Sequence, residues 1–190
     1  MSRTPSHTVG PFFGYALPFP GGGDLAPPGH PAAVTVHGRV LDGAGAPVPD
    51  ALLELWGPDE HGELPSTPGS LRRDAVTGGF LGRHAADFTG WGRVPTDAEG
   101  RWSARTLRPG ARPGHAPYLS VCVFARGLTH HLFTRLYFPE DSVAHADDPL
   151  LAALPAERRR TLIATAGAHD TYRLDIRLQG EEETVFLEFR

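Results

Sequence analysis

Between residues 115 and 138 the chain reads HAPYLSVCVFARGLTHHLFTRLYF. Histidine, tyrosine and cysteine are the residues there that could carry chemistry. Two histidines at i and i+2 on a strand share a face and could grip a metal ion. The adjacent pair His130–His131 instead points to opposite faces, and the i, i+2 slots of the preceding segment hold Tyr118 and Ser120. Ten histidines are present, none at i, i+2 spacing and none in the His-x3-His spacing of a helical zinc site. A centre rebuilt from His115 with His130 or His131 is the metal alternative that remains. Cys122, flanked by Val121 and Val123, reads as a buried structural thiol.

Those residues need strands to position them. Tyr118, Ser120, Cys122 and Phe124 alternate with Leu119, Val121 and Val123, the period of a half-buried strand. Residues 171–178, TYRLDIRL, alternate at every position. Residues 34–41, 51–56, 101–106, 131–138 and 184–189 are further strand candidates. DGAGAPVPD (42–50) and PTDAEGR (95–101) hold the Gly, Pro and Asp that tight turns use. Gly contributes 23 residues and Pro 19, well above the usual combined share of about 12%. The strands between the turns are too regularly patterned for disorder, so the fold class is mainly β, a sandwich.

Three regions fall outside the strands. Residues 1–33 show no strand or helix pattern and read as an extended N-terminal arm, with 34–190 as a single sandwich domain. Residues 57–94 form a long loop, of a length commonly tied to function. Residues 147–166 hold the best helical stretch, with Pro155 suited to a first helical position and Leu162–Ile163 able to anchor it to the sheet. One or two short helices are expected. PYLSVCVF and HLFTRLYF are apolar on both faces, so each needs a second cover, from the long loop or from another subunit.

Composition narrows the partners. The net charge is −4 and the 18 basic residues are all arginine, with no basic, aromatic-interleaved stripe of a nucleic-acid binder. A single cysteine excludes an intrachain disulfide and fits a reducing compartment. No uncharged apolar run reaches the ~18 residues of a membrane span, and MSRTPSHTVGPFF lacks a signal-peptide core. A soluble, cytoplasmic protein with no nucleic-acid or membrane partner is expected.

The stretches TPSHTVGPFF, VHGRVLDGAGAPVPDALLELWGPDEHGEL, FTGWGRVPTDAEGRWSARTLRPG, APYLSVCVFARG, TRLYF and YRLDIRLQGEEETVFLEF occur in one order along nearly the whole chain. In that set and order the sequence resembles the intradiol ring-cleavage dioxygenases. FARGL…HHLFTRLYF with RLDIRLQGEEETVF is most similar to the α chain of the two-chain, protocatechuate-cleaving members. The resemblance implies a transthyretin/prealbumin-like β-sandwich. It also implies non-haem ferric iron (Fe3+), held in the catalytic chain by two tyrosinates and a His-x-His pair; hard Fe(III) suits phenolate oxygens and imidazoles.

The positions matching those ligands are Tyr118 and Ser120 for the histidines and Ala111 for one tyrosine. The loop at 61–75, where the other tyrosine is expected, contains none. By this resemblance the chain binds no metal, and these are vestigial ligand positions. Iron then belongs to a homologous β chain, with protocatechuate and O2 as substrates and 3-carboxy-cis,cis-muconate as product. This chain's implied contribution to a shared site is Thr8, Gly10, Pro11 and Phe12 of the arm, plus Arg126. Gly10 lets backbone approach a ligand and Pro11 fixes the turn. The family often has Tyr where Phe12 stands, which removes a hydroxyl. The rival readings are a non-catalytic scaffold, in which Arg126 is a structural ion pair, and an independent dioxygenase with a rebuilt metal centre. Arg135 reads as a structural pair.

Overall fold

The computed structural model describes residue 14 and residues 16–65, 71–83 and 87–189. Its strands are β1 (Ala33–Leu41), β2 (Leu52–Trp56), β3 (Leu71–Arg73), β4 (Phe80–Arg83), β5 (Trp91–Pro95) and β6 (Arg101–Leu107). They continue with β7 (Tyr118–Phe124), β8 (Leu132–Tyr137), β9 (Thr165–Ala166), β10 (Thr171–Arg173) and β11 (Ile176–Arg177). In one sheet β1 pairs antiparallel with β6 and parallel with β10 and β11, and β9 lies outside β10. The other sheet is antiparallel throughout, in the order β5-β2-β7-β8.

Alternation decides what lies between the sheets. Val34, Val36 and Val40 of β1, Leu53 and Leu55 of β2, and Leu119, Val121 and Val123 of β7 join one buried cluster with Trp102, Leu136, Phe138, Tyr172 and Ile176. Each such side chain stabilises the fold by about 1.5–3 kcal/mol. The two Asp-Gly turns cross from sheet to sheet by one device. Asp42 Oδ1 accepts from the backbone N–H groups of Ala44 and Ala46, and Asp97 Oδ1 from those of Glu99 and Arg101. Gly45 and Gly100 then take the left-handed conformation, at φ of +80° and +70°.

Several expectations need correction. The 171–178 strand keeps one register against β1 but breaks between β10 and β11. There Asp175 Oδ1 replaces a ladder carbonyl and accepts from Arg39 N at 2.9 Å. Residues 184–189 form no ladder strand; the segment is held by Thr184 N to Arg177 O, Leu187 N to Phe133 O and Thr134 Oγ1 to Val185 O. Residues 57–94 are not all loop, since they contain the β3–β4 hairpin and most of β5. The arm expected over 1–33 is also shorter. Phe19 and Ala26 are buried and Leu25, 0% exposed, belongs to the core.

The helical region starts earlier than the expected 147 and is broken into short pieces: Ser142–Asp147, Pro149–Ala153 and Ala156–Arg159, flanked by single 3-10 turns at Pro139–Asp141 and Arg160–Leu162. Pro149 takes the first helical turn behind the Asp148 cap, whereas Pro155 sits before Ala156 as a cap residue. Leu162 does anchor the region. It joins Leu151, Ala116, Val185 and Tyr137 in a second buried cluster on the outer side of β8. At Tyr137, therefore, the second apolar cover comes from this chain itself.

Candidate functional site

The outer face of β7 presents Tyr118, Ser120, Cys122 and Phe124, all half-buried. Registers set their neighbours: Tyr118 faces Tyr137, Ser120 lies between Trp56 and Arg135, and Cys122 between Glu54 and Phe133. Tyr118 and Ser120 line one small cavity with Trp56, Leu64, Gly110 and Arg112, about 30 Å³ in volume. That is room for one or two waters, not for an aromatic ring.

The segments flanking this cavity meet at backbone distance. Gly110 N donates to Asp59 O at 2.7 Å. A Cβ on Gly62, whose φ is +82°, would stand 2.4 Å from Ala111 O. The structure thus brings Ala111, Gly62 and Leu64 of the 61–75 loop, Tyr118 and Ser120 to one place. Residues 66–70 of that loop lie outside the described residues.

Beneath the cavity a polar network joins sheet to helices. The Arg135 guanidinium lies 4.0 Å from the Tyr118 ring centroid, and Arg135 Nη1 donates to Tyr137 Oη at 2.9 Å. The Tyr137 hydroxyl donates to Asp148 Oδ1 at 3.0 Å. Asp148, 0% exposed, also accepts from the backbone N–H groups of Ala116, Leu150 and Leu151. His115 Nδ1 stands 3.5 Å from Asp148 Oδ2. Burial pushes the Tyr137 phenol up, more than Arg135 lowers it. Burial alone would raise Asp148 too, but its donors, Leu151 foremost, hold the carboxyl below its ordinary value.

Arg135 is thus bonded to a phenol and stacked on a ring rather than paired with a carboxylate. Asp148 and Tyr137 escaped the sequence reading, although the Asp-Pro step at 148–149 is a cap signal that could have disclosed the first. Cys122 is half-buried, and its desolvation, with Glu54 beside it, pushes the thiol up to about 12 and leaves it inert. His115 and His131 do not meet. His115 lies against Tyr118 at one end of β7, while His131 packs on Phe124 and Phe133 at the other. Among the described residues no group of three or more His, Cys, Asp or Glu could hold a metal ion.

Arg126 sits past the far end of β7, roughly 25 Å from Tyr118 at strand spacing. Its guanidinium pairs with Asp50 while its side chain stays 66% exposed. Both residues line a cavity of about 460 Å³ with Pro49, Leu128, Leu178 and Gln179. Thr8, Gly10, Pro11 and Phe12 lie outside the described residues. Gly14 does not, and it packs beside Asp50. Arg93 holds the next stretch by donating to Leu17 O at 3.3 Å while paired with Glu54 at 2.5 Å. Phe19 then stacks on Trp91 and leans on Phe80. The arm's base and Arg126 therefore share the Asp50 corner.

Comparison with known proteins agrees with this architecture. A family model described as "Dioxygenase" matches residues 22–180. The protocatechuate 3,4-dioxygenase alpha chain of Burkholderia cepacia is 40% identical over 99% of this chain and 98% of its own length. The beta chain from the same organism is 31% identical over 80% of this chain and 66% of its own. The dioxygenase domain of a dioxygenase carbohydrate-binding protein fusion from Streptomyces sp. SirexAA-E superposes with a TM-score of 0.59 at 25% identity, covering 94% of this chain and 99% of that one.

Proposed function

The chain belongs to the intradiol ring-cleaving dioxygenases, and from that premise we propose that it is the alpha chain of a protocatechuate 3,4-dioxygenase, joined to a homologous beta chain. The observation that carries this reading is the 40% identity to an alpha chain along essentially the full length of both proteins. The site chemistry supports it. Tyr118 and Ser120 share a face and a cavity with the segments on either side of Ala111, yet this donor set does not fit ferric iron. Alanine offers no ligand, serine only a neutral hydroxyl, and the Tyr118 ring already lies against a guanidinium.

We therefore assign the ferric iron to the beta chain. This chain's part is positioning and electrostatics at a shared site. Arg126 supplies positive charge that orients the anionic substrate. Gly10 and Pro11 wall the site with close-approaching backbone, and Thr8 and Phe12 flank them. The Asp50 corner, where Gly14 meets the Arg126 pair, is the base from which that contribution is made. One observation favours the scaffold reading, namely that Asp50 already engages Arg126 within the chain.

Co-expression with the beta chain tests the assignment. The expected result is a stable complex that is visibly coloured by tyrosinate-bound iron and converts protocatechuate and O2 to 3-carboxy-cis,cis-muconate. The chain purified alone should be colourless and inactive. Stoichiometric iron and ring cleavage in the lone chain would overturn the reading.

A further inference from the structure

A broad concavity lies on the other sheet. His37, Arg39, Arg101, Ser103 and Arg173 line it with Thr96 at the rim, and its volume is about 630 Å³, within the usual span of ligand sites. Strand register places Arg39 directly opposite Arg101, and His37 opposite both Ser103 and Arg173. Like charges facing each other across a ladder destabilise a sheet. In a chain of net charge −4 such a concentration of cations is not a general property of the surface.

Three carboxylates stand among these cations, but none of them pairs with the Arg39 guanidinium. Asp97 lines the same groove, but its Oδ1 is engaged by the backbone N–H groups of Glu99 and Arg101. Asp175 is engaged by the Arg173 guanidinium and Arg39 N. Glu99 reaches Arg101 only at 3.8 Å, with both side chains more than half exposed. Among the described residues, the Arg39 guanidinium and the His37 ring meet no acceptor.

We propose that this groove on the outer face of β1, β6 and β10 binds small polycarboxylates. One carboxylate bridges Arg39 and Arg101, whose planar guanidinium forks match carboxylate geometry and whose mutual repulsion it relieves. A second, about 7 Å further along the strands, meets His37 and the Nη1 group of Arg173, whose Nε and Nη2 are held by Asp175. That span is the separation of two carboxylates on a short carbon chain. The site is independent of the dioxygenase reading, and its test needs no turnover.

Calorimetric titration of tricarballylate into the full chain, with and without its beta partner at low ionic strength, tests the proposal. Binding is expected in both preparations, and acetate should bind at least a hundredfold more weakly. The exposed double variant Arg39→Gln/Arg101→Gln should weaken tricarballylate at least tenfold, with Tm and ring-cleavage rates unchanged. Arg39→Lys, which keeps the charge and loses the fork, should fall between. Four results would overturn the proposal: no binding to the wild type, equal binding to the double variant, acetate matching tricarballylate, or binding to the lone chain only. The last would mean that a protein partner covers the groove.

Discussion

At the residue scale, the most consequential side chain is one that the sequence pattern did not single out. Asp148 ends up fully buried because its carboxylate has four donors, three from backbone and one from Tyr137. Its folded-state pKa lies below the ordinary 3.8, so it contributes stability above the unfolded value that disappears as pH falls through the folded one. Asp148→Asn, which cannot accept the full set, should cost about 2–4 kcal/mol in urea unfolding at pH 7. The same variant should lose less stability than wild type between pH 5 and 2. Arg126 is the second test at this scale. If it orients substrate, Arg126→Ala lowers kcat/KM of the complex about tenfold, roughly 1.4 kcal/mol, without changing Tm by more than a degree or two. An unchanged kcat/KM favours the scaffold.

Elements show where the sequence was legible. The strict alternation of β7 is readable because its two faces differ chemically, with Leu119, Val121 and Val123 inside and Tyr118 to Phe124 outside. TYRLDIRL is patterned just as well, yet it breaks where the Asp175 side chain takes the ladder position opposite Arg39. A Cβ on Gly38 would stand 1.8 Å from Leu174 O, so backbone meets backbone at the break between β10 and β11, and periodicity carries no trace of that. Gly38→Ala should accordingly destabilise by about 2–3 kcal/mol or more, read as a lowered urea midpoint at unchanged slope. VFLEF misled for the opposite reason. Val185 is buried and Phe189 is 73% exposed, yet the segment bonds to β8 and β11 only at isolated points. The helical stretch was placed too late by several residues and its breaks were not seen; these follow from the proline at 149 and the cap at 155.

For the molecule as a whole, the question is how the N-terminal segment divides between the core and the proposed partner surface. Truncation can separate the parts of that segment. Removing residues 1–13 should leave Tm within a few degrees of wild type, since the described core lies beyond them. Removing residues 1–26 uncovers the face where Leu25 sits at 0% exposure, and should cost at least 2–5 kcal/mol, measured by thermal unfolding. Equal stability of the two truncations would show that Phe19 to Ala26 carry none of the core. The candidate site was legible only in its strand face and the segment around Ala111. Tyr118, Ser120 and Ala111 could be located by matching ordered stretches, whereas the guanidinium–phenol–carboxylate chain beneath them joins β8 to the cap of a following helix, and only the Asp-Pro step hinted at one end of it.

The placement of β1 also governs when the chain can fold. That strand is flanked by β6 on one side and by β10 and β11 on the other, and the partner of Val40 is Ile176. A ribosome that has not yet released residue 177 holds a β1 with one naked edge, exposed for most of translation. Pairings this distant in sequence form slowly and leave sticky intermediates. Expression yield should therefore respond more to growth temperature and to chaperone supply than to any surface substitution.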